Sequence, residues 1–236
     1  YGQHWNAFWP LPDGFKNDGA DWVPYPIVSA DGSPARSLAG NGANVFYVVK
    51  KGHAHPEALV KLLNFSLEKQ YGPAGRDMSF FNSEELGLNL YAYAAVTAQD
   101  PLQNINIYRD VVKGLEAGSG EGLSFDGNDN YQSITKYMNG NKDFWGSYKW
   151  SGPGGALSIE DYYDNNGLAV YNEFLGAPTA TMLKKGSTLD TLELETFTKI
   201  ILGAAPVDSF DQFVENWKKL GGDDITNEVN AWASGK

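Results

Sequence analysis

Apolar residues recur at helical spacing in several stretches of the chain and at strand length in one. Asn44 to Lys50 (NVFYVVK) is a β-branched and aromatic run that reads as a strand, ended by Gly52. Pro56 then occupies a first helical position, with Glu57 in the positive first turn. Ala58, Leu59, Leu62, Leu63, Phe65 and Leu67 supply an apolar helical face, and Tyr71-Gly72-Pro73 stops it. Residues 44–70 are therefore expected as a strand–helix unit. An aromatic helix is expected over 84–98, and another over 104–117 with Ile105, Tyr108, Val112 and Leu115 on one side. Leu189 to Leu202 predicts a helix closed by Gly203. Phe210, Phe213, Val214, Trp217 and Leu220 follow at helical spacing, capped by Asp208 or Ser209 and ended by Gly221-Gly222. Asp223 or Asp224 caps a last helix that carries Ile225, Val229 and Trp232.

The segments between are less regular. Pro10, Pro12, Pro24, Pro26 and Pro34 break any long helix in residues 1–43, where Asp13-Gly14 and Asp31-Gly32 mark turns and Trp22 to Val28 looks extended. A Gly-rich polar stretch spans 118–130, and Tyr131 to Asn139 predicts a short helix closed by Gly140. Asp143 to Gly155, dense in Trp, Tyr and Gly, reads as a loop. Ser158 with Asp161 resembles a capping pair for a short helix towards Asn165. No internal repeat and no long charge run is visible.

Composition narrows the class. With 42% hydrophobic and 20% charged residues among 236, the chain is a folded protein rather than a disordered, collagenous or coiled-coil one. No apolar run approaches the ~20 residues of a membrane helix. Eighteen Lys and Arg against 29 Asp and Glu give a net charge of −11, and no basic stripe exists to neutralise phosphates, so nucleic acid is not an expected partner. An anionic membrane surface is disfavoured for the same reason. The absence of Cys removes disulfides, thiolate metal sites and thiol nucleophiles.

Candidate chemistry is sparse. His53 and His55 point apart in an extended chain, and no acidic or His cluster completes a zinc set, so no metal is expected there. Asp126, Asn128 and Asn130 match the first three spacings of a calcium loop, but Tyr131 and Tyr137 stand where its Gly and Glu belong. Calcium is the one cofactor that spacing suggests, against the plainer reading of an Asx-rich surface loop. Glu84-Glu85 are adjacent and point apart, while Glu193 and Glu195 lie on the solvated side of a helix, so neither makes a glycosidase pair. No nucleophile elbow, zinc-protease motif or phosphate-binding Gly-rich loop is present, and an enzyme is not expected. Two aromatic clusters remain: His4, Trp5, Phe8 and Trp9 in a Pro-rich loop, and Phe144, Trp145, Tyr148 and Trp150 among glycines. Such rings either fill a core or stack on the C–H face of a pyranose.

Residues 172–232 carry the blocks GAPTATM, ETFTKIILG, FDQFVENWKKLGG and ITNEVNAW, and upstream stand WPLPD, YPIVSADGSPA and VFYVVKKGHAHPEALVKLLNF. Together these resemble family 1 extracellular solute-binding proteins, of the long lipoprotein type that feeds sugar ABC transporters in Gram-positive bacteria. The resemblance covers essentially the whole chain but only about the second half of the usual family length. It implies a C-terminal fragment, with the lipidated Cys, signal peptide and first lobe before Tyr1, and a missing N-terminal half as a possible separate chain. The implied fold is a helix-rich α/β one: part of a type II periplasmic-binding-protein-like two-lobe structure, mainly its C-lobe. Residues 1–35 would line the cleft, 36–105 would return to the N-lobe as its strand–helix segment, and 106–236 would complete the C-lobe. The implied function is extracellular capture of an oligosaccharide for a membrane permease, with no bond made or broken. Trp5 and Trp9 would stack on sugar, His4 and Asn6 would supply polar contacts, and Trp145, Tyr148 and Trp150 are further ligand candidates. A peptide-binding protein on the same scaffold, or a glycoside hydrolase or lectin-like module, is the alternative.

Overall fold

The computed structural model describes residues 7–8, 11–40, 45–72, 76–83 and 88–235. Helices dominate, and the chain divides into two compact units, residues 1–171 and 172–236.

The first unit is built on four helices: α4 (Gln103–Ala117), α5 (Phe125–Met138), α6 (Trp145–Ser151) and α7 (Ala156–Asn165). Val111, Ile134 and Leu157 are fully buried among them, with Ile107, Tyr131, Trp145 and Trp150 close behind. Gly114 lets α4 and α5 approach, because a Cβ there would lie 2.8 Å from Leu123 and 2.9 Å from Tyr131. Arg109 ties α4 to α7: its Nε donates to Asp161 (2.7 Å) and its Nη2 to Asp164 (2.7 Å).

Ahead of this bundle come α1 (Leu11–Asp18), the short strand β1 (Ser37–Ala39), α2 (Glu57–Tyr71), α3 (Met78–Phe81), and the two-residue strands β2 (Asn82–Ser83) and β3 (Leu88–Asn89). β1 pairs in parallel with β4 (Ala169–Tyr171), with Leu38 opposite Val170, and β2 pairs antiparallel with β3. The second unit holds α8 (Ala180–Ile201), α9 (Ser209–Trp217) and α10 (Asp223–Ser234). Thr179 caps α8 by accepting from the Met182 amide (3.3 Å), and the Glu228 carboxylate reaches back from α10 to the Thr181 hydroxyl (2.8 Å). Gly221 has φ 133° in the turn before α10, a value closed to most other residues.

Several expectations change. The helix of 44–70 forms as α2, but residues 45–50 form no strand: they join no ladder, and Phe46 and Val48 are 80% and 91% exposed. The pattern is that of a strand, but among the described residues no neighbouring strand supplies its hydrogen bonds. Residues 88–98 are not helical either; β3 gives way to a 3₁₀ turn at Leu90–Tyr93. Helix α5 begins six residues before the expected start, because Ser124 caps it by accepting from the Gly127 amide (3.1 Å). Packing on α4 outweighs the poor helix propensity of Gly127, Asn128 and Asn130. The expected loop of 143–155 is mostly helix α6, entered through an Asn141 cap on the Asp143 amide (3.0 Å) and ended at Gly152. Helix α8 begins nine residues earlier than expected and runs through Gly186 without a break. Ser158 does not cap; its hydroxyl donates to the Gly155 carbonyl (2.6 Å), while Asp161 serves Arg109.

Candidate functional site

A cluster of polar and aromatic side chains lies where residues 7–8 and 11–22 meet α6. Gly146 makes the contact possible, since a Cβ there would stand 2.5 Å from the Ala7 carbonyl oxygen. Phe15 of α1 stacks on Trp145 (5.1 Å, 16°), and Phe8 meets Trp150 edge-on (5.5 Å). Beyond α1 the chain turns at Gly19, and Asp21 comes back to the same helix. Its carboxylate accepts from the Trp145 indole (3.0 Å) and from the Lys149 ammonium (2.9 and 3.0 Å to its two oxygens). The Lys149 hydrogen bond holds the Asp21 carboxyl below the usual range, against a partial burial that pushes it up, and the Trp145 bond adds to the lowering. The Lys149 side chain is nearly covered, but that of Asp21 is 54% exposed.

Trp22 follows directly and is 52% exposed; its indole nitrogen lies near Gly14 of α1. A half-open indole thus succeeds a half-open carboxylate whose orientation is fixed. Downstream, residues 26–29 and 32–35 and Tyr162 line a shallow cavity of about 270 Å³, with Ile27, Pro34 and the Tyr162 ring among its walls. The Tyr163 hydroxyl accepts from the Ile27 amide (2.9 Å), which tacks this segment to α7. Asp31 accepts from the hydroxyls of Ser29 (2.5 Å) and Ser33 (2.6 Å), bonds that hold its carboxyl at about 2.

The expected site residues fare unevenly. His4, Trp5, Asn6 and Trp9 lie outside the described residues. Trp145 and Trp150 are 1% and 6% exposed, so as ligand platforms they are corrected: these indoles pack inside the bundle on a helix, not on a loop. Tyr148 is half-buried and stacks on Tyr137 (4.6 Å). The calcium-loop spacing is also corrected. Asp126, Asn128 and Asn130 lie in α5, where Asp126 pairs with Arg76 and Asn130 donates to the Asp126 carbonyl (2.9 Å) and accepts from the Ser151 hydroxyl (3.0 Å). Among the described residues, no group of three or more His, Asp or Glu is placed to hold a metal. Pattern reading passed over Asp21, Trp22 and Lys149. The visible hint was the dipeptide Asp21-Trp22 in a segment without periodicity, where neither residue has an obvious core role.

No protein-family model matches the chain. No solved structure matches it either. Over 92 residues it is 29% identical to an uncharacterized protein from the butB 5′ region of Niallia circulans, covering 38% of this chain and 36% of that protein. Over 63 residues it is 33% identical to the lipoprotein LipO of Bacillus subtilis (strain 168), covering 27% of this chain and 12% of LipO. The chain therefore spans well under half the length of the relatives it matches, and it is similar in part to a bacterial lipoprotein. Among the described residues no helix is long and apolar enough to cross a membrane.

Proposed function

We propose that this chain is the C-terminal portion of an extracellular, lipid-anchored receptor that captures an oligosaccharide and delivers it to an ABC transporter permease. In this reading the whole protein has the two-lobe, type II binding-protein fold, and residues 1–35 line its cleft. The blocks quoted above support it, as does the partial similarity to a lipoprotein. The observation that carries it is the pairing of Trp22 with Asp21. An exposed indole offers a stacking face, and a carboxylate already oriented by Trp145 and Lys149 accepts from hydroxyls without further ordering. Binding needs no catalytic group; neutral sugars fit the site better than uronates, because a carboxylate repels a second one.

Calorimetric titration of the purified protein with neutral xylo-, cello-, manno- and malto-oligosaccharides and with an oligouronate tests the proposal. One neutral series binds, and Trp22→Ala weakens it by about tenfold, the size of one lost stacking contact. Asp21→Asn weakens it further without unfolding the chain. Absence of binding to every sugar, or tightest binding of the uronate, overturns the reading.

A further inference from the structure

The cavity beside Tyr162 has fixed walls and a definite polarity. The Ile27 amide is held by the Tyr163 hydroxyl of α7 (2.9 Å), and at the far end the Ser37 amide donates to the Leu168 carbonyl (2.9 Å) where β1 meets β4. Pro26 and Pro34 fix φ within the walls, so the turn between them has little freedom left to lose when something binds. The Tyr162 ring, 45% exposed, supplies the aromatic wall and leans on the Tyr163 ring (5.8 Å, 60°). At about 270 Å³ the space lies just below the range of drug-sized pockets, and it suits one small ring rather than a chain.

Ser29 and Ser33 bring hydroxyls to this wall. Both donate to one oxygen of Asp31 (2.5 and 2.6 Å), and the Ser33 amide donates to it too (2.9 Å). These bonds hold the Asp31 carboxyl at about 2, so at neutral pH it is ionised and only accepts. Both hydroxyl protons are thereby committed, and each serine offers a visitor only oxygen lone pairs. Such a pair reads hydrogen-bond donors, and the carboxylate behind it turns anions away. Since both serines bond the same Asp31 oxygen, they stand close enough to accept from neighbouring hydroxyls of one ring. A pyranose presents what these walls match: an apolar C–H face for Tyr162 and an edge of hydroxyl donors. We propose that the cavity is a second subsite, which takes one terminal neutral pyranose ring of an oligosaccharide that also lies on Trp22, with its C–H face on Tyr162 and its hydroxyls donating to Ser29 and Ser33. This rests on the oligosaccharide reading above and adds to it where the ligand ends and which of its groups are read. Trp22 and Ile27 are five positions apart in the same unit, at most about 18 Å of chain, a gap that a few sugar rings cross.

The test is the dependence of affinity on ligand length, measured by calorimetry with the xylo-, cello-, manno- and malto-oligosaccharides from two to six rings. In the series that binds, affinity is expected to rise about tenfold beyond the disaccharide and then level off. Tyr162→Leu removes that rise and leaves the disaccharide as it was, while Tyr162→Phe, which keeps the ring, retains the rise. S29A/S33A removes it as well, and thermal unfolding of each variant matches the wild type. Should the double variant loosen the turn, the Tyr162 pair still decides. Affinity that does not grow with length, or growth that survives Tyr162→Leu, overturns the subsite while the site at Trp22 stands. Growth indifferent to S29A/S33A in a variant that unfolds as the wild type does overturns the reading of hydroxyl donors. Binding that depends on Tyr162 and not on Trp22 supports the subsite and overturns the site at Trp22. Absence of binding to every sugar overturns both.

Discussion

Trp145 organises the contact between the first helix and the bundle. Its ring is covered by Phe15, its indole N–H is taken by Asp21, and the Lys149 ammonium lies 6.0 Å from its centroid. Removing a buried ring of this size leaves a void that the helices fill only in part, so Trp145→Ala is expected to cost about 3–5 kcal/mol of the first unit's stability by urea unfolding. The Asp21 tether has a definite pH sign. A carboxyl whose folded pKa is lowered contributes above its unfolded value, about 3.9, and the contribution is lost as pH falls through the lower folded value. The Trp145 indole proton resonance should therefore stay unchanged down to about pH 4 and move only in stronger acid; a midpoint at or above the ordinary carboxylate value would remove Asp21 as its acceptor.

Helix ends decide the second unit. Thr179 closes the entry of α8, so Thr179→Ala should lower stability by about 1 kcal/mol, read from thermal unfolding followed at 222 nm. Glu228 assists from α10; hydrogen bonds from Thr179 and Thr181 hold its carboxyl below the usual range, so this help fades as acid protonates it. These terminal helices were legible in the sequence from the apolar spacing of α9 and α10, but the expected Asp caps do not form: Asp208 makes no side-chain cap bond to α9, and α10 starts from Gly222 with Asp223 already inside it. The early start of α8 was hidden by Lys184-Lys185-Gly186, which reads as a break. Yet one glycine costs only about 1 kcal/mol in a helix held by tertiary contacts. Helix α6 was hidden for the opposite reason. Its glycines look like loop residues, but Gly146 is there for the Ala7 carbonyl, and Gly152 and Gly155 lie beyond its end. The aromatic site was the least legible part. Asp21 meets α6 across more than a hundred residues of sequence, and no local pattern encodes such a contact.

For the molecule as a whole, the two units have separate cores. Val111, Ile134 and Leu157 anchor the first, and Leu189, 3% exposed, is the buried side chain of α8 in the second. Leu189→Ala should cost about 2–5 kcal/mol and raise amide exchange throughout residues 180–234, leaving α4 and α5 at their original protection. Loss of protection in both units together would show a single cooperative structure. The contrast between Trp145, shielded, and Trp22, open to solvent, has a practical consequence. The two indoles should emit at different wavelengths, the first blue-shifted and inaccessible to iodide, the second red-shifted and readily quenched. Because the chain has seven tryptophans, the difference between the wild type and Trp22→Phe isolates the open ring, and any molecule that settles on it will report its own arrival as a loss of quenching at the long-wavelength edge of that difference spectrum.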